Sequence, residues 1–262
     1  MNNLPNGSFT TTLAGLFNKG LRFSTVIDIG CADGNFFLQH FDMGLLPGAV
    51  PVNIDANALY EPSLKEMKDV LGGHYVVAAV SDAPGEIEMT ASVHPYWNSV
   101  RPPDDPYWER LNKLSQTVSK VPAVTLDNLA RDLGLKGPIL LKLDVQGAEV
   151  QALRGAKAVL ADTDVVIIEA DVDDFQAINA TLTEANFSLY DLTQLNYAPD
   201  RSLGWFYPVY LNRRRDNLRT RAFWDKAVDQ QIIDMQAKRR QAILGQNAFT
   251  LSKYRAMKPP AR

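Results

Sequence analysis

Carboxylates recur in this chain where apolar runs break into glycine turns. In residues 26–36, Val-Ile-Asp-Ile-Gly-Cys-Ala-Asp-Gly-Asn-Phe, a branched apolar run ends in a turn holding two glycines and flanked by Asp28 and Asp33. Such a turn lets a small ligand approach bare backbone. The two acids repel phosphate and suit a ligand with a positive centre. The spacing Gly30-x-x-x-Gly34 is not the G-x-G-x-x-G of dinucleotide folds. S-adenosylmethionine has a sulfonium, an ammonium and no phosphate, and fits this chemistry better than a dinucleotide does. The turn residues expected to hold it are Asp28, Gly30, Asp33, Gly34, Asn35 and Phe36.

Further acids follow the same logic. Asp55 ends the next apolar run, 21 residues past Gly34, where an acid reaches the two ribose hydroxyls in nucleotide-binding α/β folds. Ser81-Asp82 closes the third run, where a carboxylate can accept from an adenine amino group and where Ser-Asp-Ala-Pro-Gly is also a competent turn. The stretch 140–149, Leu-Leu-Lys-Leu-Asp-Val-Gln-Gly-Ala-Glu, again breaks at a glycine and opens a helix. Asp144 would stand at the rim where open α/β sheets bind ligands, touching cofactor and acceptor, with Lys142 on the same side of the strand. Glu149 falls in a first helical turn, where it also complements the helix dipole. Asp144 is the first candidate for a general base and His94, in a loop, the second. Lys142 joins them as a catalytic candidate, whereas His40 and His74 read as structural. Asp144, Glu169 and Asp171 offer oxygen donors for a divalent metal, the less favoured of two readings; the other is transfer without a metal.

These residues need a scaffold that brings strand ends together. Short Val/Ile/Leu-rich runs at 25–29, 49–54, 75–80, 139–143 and 165–170 read as strands buried on both faces of a parallel sheet. Helical patterns at 36–41, 61–71, 126–133, 148–160 and 175–185 alternate with them, which predicts a doubly wound α/β fold. Runs at 187–192 and 205–211 read as an antiparallel hairpin closing one sheet edge. Residues 90–120 interrupt the alternation with four prolines, a histidine and several aromatic residues, and are expected to form a substrate loop.

The composition is that of a globular protein, 46% hydrophobic and 22% charged. No run reaches the roughly 18 apolar residues of a membrane span, and residues 1–8 lack the order of a secretory signal. One cysteine, Cys31, excludes an internal disulfide and a cysteine-based zinc cage, and a cytoplasmic setting is expected. The charge is uneven. Residues 213–262 hold 13 Lys+Arg against 4 Asp+Glu, whereas the whole chain holds 27 against 30. Trp224, Val228, Ile232, Met235 and Ile243 recur at helical spacing over 225–244, so the tail is expected to be a basic amphipathic helix that packs on the domain or on a second copy in a homodimer.

Taken together, 26–36, 53–55, 79–85, 122–129 and 140–156 resemble the FkbM family of S-adenosylmethionine-dependent methyltransferases, most specifically in Leu-Lys-Leu-Asp-Val-Gln-Gly-Ala-Glu followed by Leu153-Arg154-Gly155-Ala156. The resemblance covers roughly 22–212 and implies a Rossmann-like class I methyltransferase fold: a seven-stranded, mostly parallel sheet whose last strand is antiparallel. It implies O-methylation of a hydroxyl on a sugar, glycan or other natural product. Three departures stand out: Asp55-Ala56 replaces the family's usual Glu-Pro, the loop at 90–120 is longer and more aromatic than the family pattern, and the tail beyond Asn212 has no family counterpart. The expected organisation is a helical lead-in at 1–24, a methyltransferase domain at 25–212 with the 90–120 insertion, and the tail at 213–262. The rival readings are an RNA methyltransferase, which the acidic body opposes; a non-catalytic cofactor-binding scaffold; and a dinucleotide-dependent oxidoreductase, which the missing glycine motif opposes.

Overall fold

The computed structural model describes residues 7–93, 95–105, 108, 116–219 and 229–257. The chain divides into two compact units, Met1–Leu218 and Arg219–Arg262. In the first, helix α1 (Phe9–Asn18) starts at Ser8, whose Oγ accepts from Thr11 N at 3.1 Å. Strand β1 (Thr25–Ile29), helix α2 (Asn35–Asp42), strand β2 (Val50–Asp55), helix α3 (Glu61–Leu71) and strand β3 (His74–Val77) follow in the expected alternation. After helix α4 (Leu126–Leu133) come strand β7 (Ile139–Leu143), helices α5 (Glu149–Arg154) and α6 (Lys157–Asp162), and strand β8 (Thr163–Ile168). Helix α7 (Phe175–Glu184) leads to the hairpin of β10 (Phe187–Thr193) and β11 (Trp205–Asn212).

Among the described residues the main sheet runs β10-β11-β8-β7-β1-β2-β3. β1, β2, β3, β7 and β8 are mutually parallel, while β11 lies antiparallel between β8 and β10. A two-residue strand, β9 (Ala170–Asp171), adds to the end of β11. The hairpin thus inserts its second strand into the sheet and leaves β10 at the edge. β1, β7 and β8 are buried along their whole length, as parallel strands covered on both faces are. Ile27, Leu141 and Val166 point to one core, under α4–α7; Val26, Leu140 and Val165 point to the other, under α1–α3.

Three elements differ from expectation. The run 75–80 splits: β3 stays in the main sheet, and β4 (Ala79–Val80) joins a second sheet in which β6 (Gln116–Val124) pairs parallel with β4 and antiparallel with β5 (Gly85–Ser92). Part of the expected loop 90–120 is therefore hairpin. Its strands escaped notice because they carry Glu86, Glu88, Lys120 and Pro122 and one face stays exposed. The single helix expected at 148–160 breaks into α5 and α6 at Gly155, whose Cα packs against the Ser81 carbonyl so tightly that a Cβ would overlap it.

A turn at Arg213–Leu218 closes the first unit. Arg214 Nε lies 2.8 Å and Arg215 Nη2 2.9 Å from Asp164, which is fully buried on β8. Two arginines counted in the basic tail are thus committed to a buried carboxylate of the first unit. In the second unit one helix, α8 (Asp229–Met257), is described. Ile233, Met235, Ile243, Leu244 and Phe249 on it are all exposed. Of the pattern expected at 225–244, Trp224 and Val228 lie outside the described residues. No described helix is long and apolar enough to cross a membrane.

Candidate active site

The tips of β1, β2 and β7 are knitted together by backbone. Gly30 N donates to Ile54 O at 2.8 Å, and Asp144 N donates to Ile29 O at 3.0 Å. Gly30 adopts φ +70°, and a Cβ there would overlap the Asp144 carbonyl oxygen. Glycine is thus required twice, by conformation and by space. Gly34, at φ +81°, ends the turn and caps α2. Beside the turn opens a cavity of about 1060 Å³. Gly30, Asp33, Asn35, Phe36, Asp55, Lys142 and Asp144 line it, as do Glu169 and Asp171.

Asp55 holds the turn from the β2 tip. Its Oδ2 accepts from Ala32 N and its Oδ1 from Asn57 N, both at 2.8 Å. Burial pushes this carboxyl up, against the two backbone donors that pull it down. Each oxygen keeps a lone pair for a vicinal diol. Asp33 accepts from Asn35 Nδ2 at 3.2 Å at the start of α2.

Beneath the turn Asp28 and Lys142 stand side by side on β1 and β7. Lys142 Nζ lies 3.2 Å from Asp28 Oδ1, 3.4 Å from Asp144 Oδ2 and 3.3 Å from Gly30 O. Burial alone would lower the Lys142 pKa, but the two carboxylates outweigh it and raise it, so the ammonium stays charged. Burial raises Asp28 despite the lysine.

At the β7 tip the carboxylates meet neutral donors. Tyr207 OH donates to Asp144 Oδ2 at 2.8 Å and stands 3.4 Å from Glu169 Oε1. Gln146 Nε2 donates to Asp144 Oδ1 at 3.0 Å and also to Glu169 Oε2. Burial would raise Asp144; Lys142, Tyr207 and Gln146 together outweigh it and hold it below the usual aspartate value. Glu169 goes the other way, pushed up by burial and by Asp144 and Glu149. The two neighbouring carboxyls are thus shifted in opposite directions. Glu149 closes the 144–149 turn from inside, its Oε1 accepting from Val145 N at 3.1 Å and its Oε2 from Gly147 N at 2.9 Å. Burial brings it up to about 7.

Several expected site residues take other places. Asp28 lies under the turn, not in the cavity wall, because its partner Lys142 is buried with it. Gly34 faces Met67 instead of the cavity. Ser81 is buried, its N–H bound to Val124 O at 2.9 Å, and Asp82 is exposed; Ala78, Ala79 and Val80 form the wall there. Asp171 lines the cavity but turns Oδ1 to the N–H groups of Asp173 and Asp174, both at 2.9 Å. Among the described residues no three such side chains form a metal-binding group. His94 lies outside the described residues. His40 is buried between Thr10 Oγ1 and Phe36 O, at 3.0 and 2.6 Å. Tyr96, Trp97 and Arg101 of the expected substrate loop line the cavity too, and residues not anticipated from sequence join them: Tyr207, Tyr60, Tyr197 and Trp205. The signal for Tyr207 was its place in the alternating run Trp205-Phe206-Tyr207-Pro208, in which Phe206 enters the core.

The donor set suits S-adenosylmethionine. The glycine turn lines the cavity with backbone, a strand-end carboxylate keeps lone pairs for a diol, and the wall is acidic with its described cations already paired. Comparison with curated proteins returns no match. Solved structures with a similar fold include methyltransferase FkbM from Methylobacillus flagellatus KT, at 16% identity and TM-score 0.45 over 72% of this chain and 43% of that one. They also include Aeropyrum pernix fibrillarin with natively bound S-adenosyl-L-methionine, at 13% identity and TM-score 0.41 over 75% and 74%, and M. capricolum TrmK with S-adenosylhomocysteine, at 10% identity and TM-score 0.43 over 99% and 90%. The chain thus spans less than half the length of the M. flagellatus protein it matches. The model of the methyltransferase FkbM domain matches residues 28–189, from the acid under the glycine turn to the first strand of the hairpin. With more than half of its length inside that match, the chain belongs to the FkbM methyltransferase family.

Proposed function

We propose that this protein methylates a hydroxyl oxygen of a small hydroxylated acceptor, a saccharide or related natural product. The observation that supports this reading best is the cluster of Asp144, Glu169, Tyr207 and Gln146 in the cavity wall beside the Gly30 turn. When bound, S-adenosylmethionine supplies an electrophilic methyl group on a sulfonium. The chain's residues supply position and field. Gly30 offers bare backbone, Asp55 accepts from the ribose hydroxyls, and the acidic wall favours a cation. Asp144 accepts a hydrogen bond from the acceptor hydroxyl, aims its oxygen and receives its proton, while Lys142 keeps the carboxylate ionised. Alignment of this kind lowers barriers by up to about 7–11 kcal/mol, and a positioned base adds about 10²–10⁴-fold. The acid-lined wall disfavours a polyphosphate chain and so opposes RNA as acceptor. Transfer of isotope-labelled methyl to a panel of saccharides tests the reading. Asp144→Asn should bind the cofactor with unchanged affinity and lose about 10²-fold or more in turnover. Wild-type turnover in that variant would remove Asp144 from the chemistry.

A further inference from the structure

The cavity does not end at the carboxylates. Beyond Asp144 and Glu169 its wall is carried outward by Tyr197 and Trp205, which line the cavity and are nevertheless 59% and 51% exposed. They belong to an ordered rim. Tyr197 bridges to Leu203, Asn196 N donates to Trp205 O at 2.9 Å, and Gly204 N donates to Asn196 O at 2.8 Å. Trp205 pairs with Asp171 on β9, and the next residue, Val172, is 52% exposed. Two large rings thus stand along the cavity wall, held in place by backbone and about half exposed. Farther in, the wall turns polar within a few residues, to Asp144, Gln146 and Glu169. Among the described residues the cavity's cations are both committed: Lys142 to Asp28 and Asp144, and Arg101 to Asp174.

Resting on the reading of this cavity as the methyl-transfer site, we infer that the acceptor is an amphiphile without negative charge, whose hydroxylated end reaches Asp144 and whose apolar part lies across Trp205 and Tyr197. An acceptor lying along this wall with its hydroxyl at Asp144 covers the exposed rings. Burying apolar area there favours a molecule that carries some. The gradient from apolar rim to acidic interior sets its orientation, polar end first. The described cations, being paired, leave no spare charge to neutralise a phosphate or carboxylate on the entering end. Trp205 and Tyr197 are accordingly specificity-determining residues, set apart from the cofactor turn.

Calorimetry on the full chain saturated with S-adenosylhomocysteine tests this with two probes that share a head group, methyl β-D-glucoside and octyl β-D-glucoside below its micelle concentration. The octyl compound should bind about tenfold tighter or more. In the Trp205→Gln/Tyr197→Ser double variant that preference should fall below about threefold, with the affinity for S-adenosylhomocysteine unchanged; that same titration reports that the variant is folded. Val70→Ser, which removes another exposed apolar residue outside the cavity wall, should keep the full preference. Equal binding of the two glucosides by wild type, or a preference that survives in the double variant or disappears in Val70→Ser, would overturn the amphiphile. Failure of wild type to bind S-adenosylhomocysteine would overturn the cofactor site itself and with it this inference.

Discussion

Glu149 sits inside the turn it shapes, its two oxygens bound to the N–H groups of Val145 and Gly147. Burial raises its pKa from the ordinary 4.5 to about 7, against those hydrogen bonds. A group whose folded value lies above its unfolded one binds its proton more tightly in the native state. Its contribution is complete below about 4.5, fades as pH rises, and is gone above about 7. The loss is on the order of 3 kcal/mol. Asp28, Asp55 and Glu169 are shifted in the same direction, so the wild-type curve falls for several reasons and only a comparison isolates Glu149. Urea titrations at a series of pH values should give Glu149→Gln a curve flatter than wild type by about 3 kcal/mol across that window; parallel curves would show that Glu149 does not titrate there. At this scale the sequence was informative about carboxylates and silent about their partners. Asp55 and Asp144 declared themselves by ending apolar runs. Tyr207 reaches Asp144 from 63 residues along the chain, and only the pairing of β11 with β8 brings it near.

Three strand tips meet at the Gly30 turn, and the element works only because that position has no side chain. A Cβ would overlap the Asp144 carbonyl oxygen, and the positive φ disfavours a branched residue. Gly30→Val should therefore cost about 1–3 kcal/mol or more of stability and abolish cofactor binding. Urea unfolding and calorimetry check both halves, and a variant with wild-type midpoint and affinity would mean that the turn is not where the ligand approaches. The strands at 25–29 and 139–143 were readable to the residue, since short apolar-rich runs, each broken by a single charge and ending in a turn, have few other solutions. What periodicity could not show was the split of 75–80 between two sheets, because both halves are apolar. Nor could it show the end of α5 at Gly155, which is set by the Ser81 carbonyl packed against it.

Across the whole molecule, the fold gathers its acids at the C-terminal ends of parallel strands, where open α/β sheets bind their ligands. The first unit reaches Leu218 because Arg214 and Arg215 fasten its last turn to Asp164. Charge counting along the sequence placed these arginines in the tail without a named partner, since nothing local marks Asp164 as buried. Membership of the FkbM family rests on residues 28–189, the span that contains the glycine turn, Asp55 and the Asp144 motif. The central claim is that this span holds S-adenosylmethionine between the Gly30 turn and Asp55. Calorimetric titration of the full chain with S-adenosylmethionine tests it most directly. Saturable one-site binding is expected in wild type, weakened about 10–100-fold in Asp55→Ala, where the hydrogen bonds lost are to a charged group. No binding by wild type, or equal affinity in the folded variant, would contradict it.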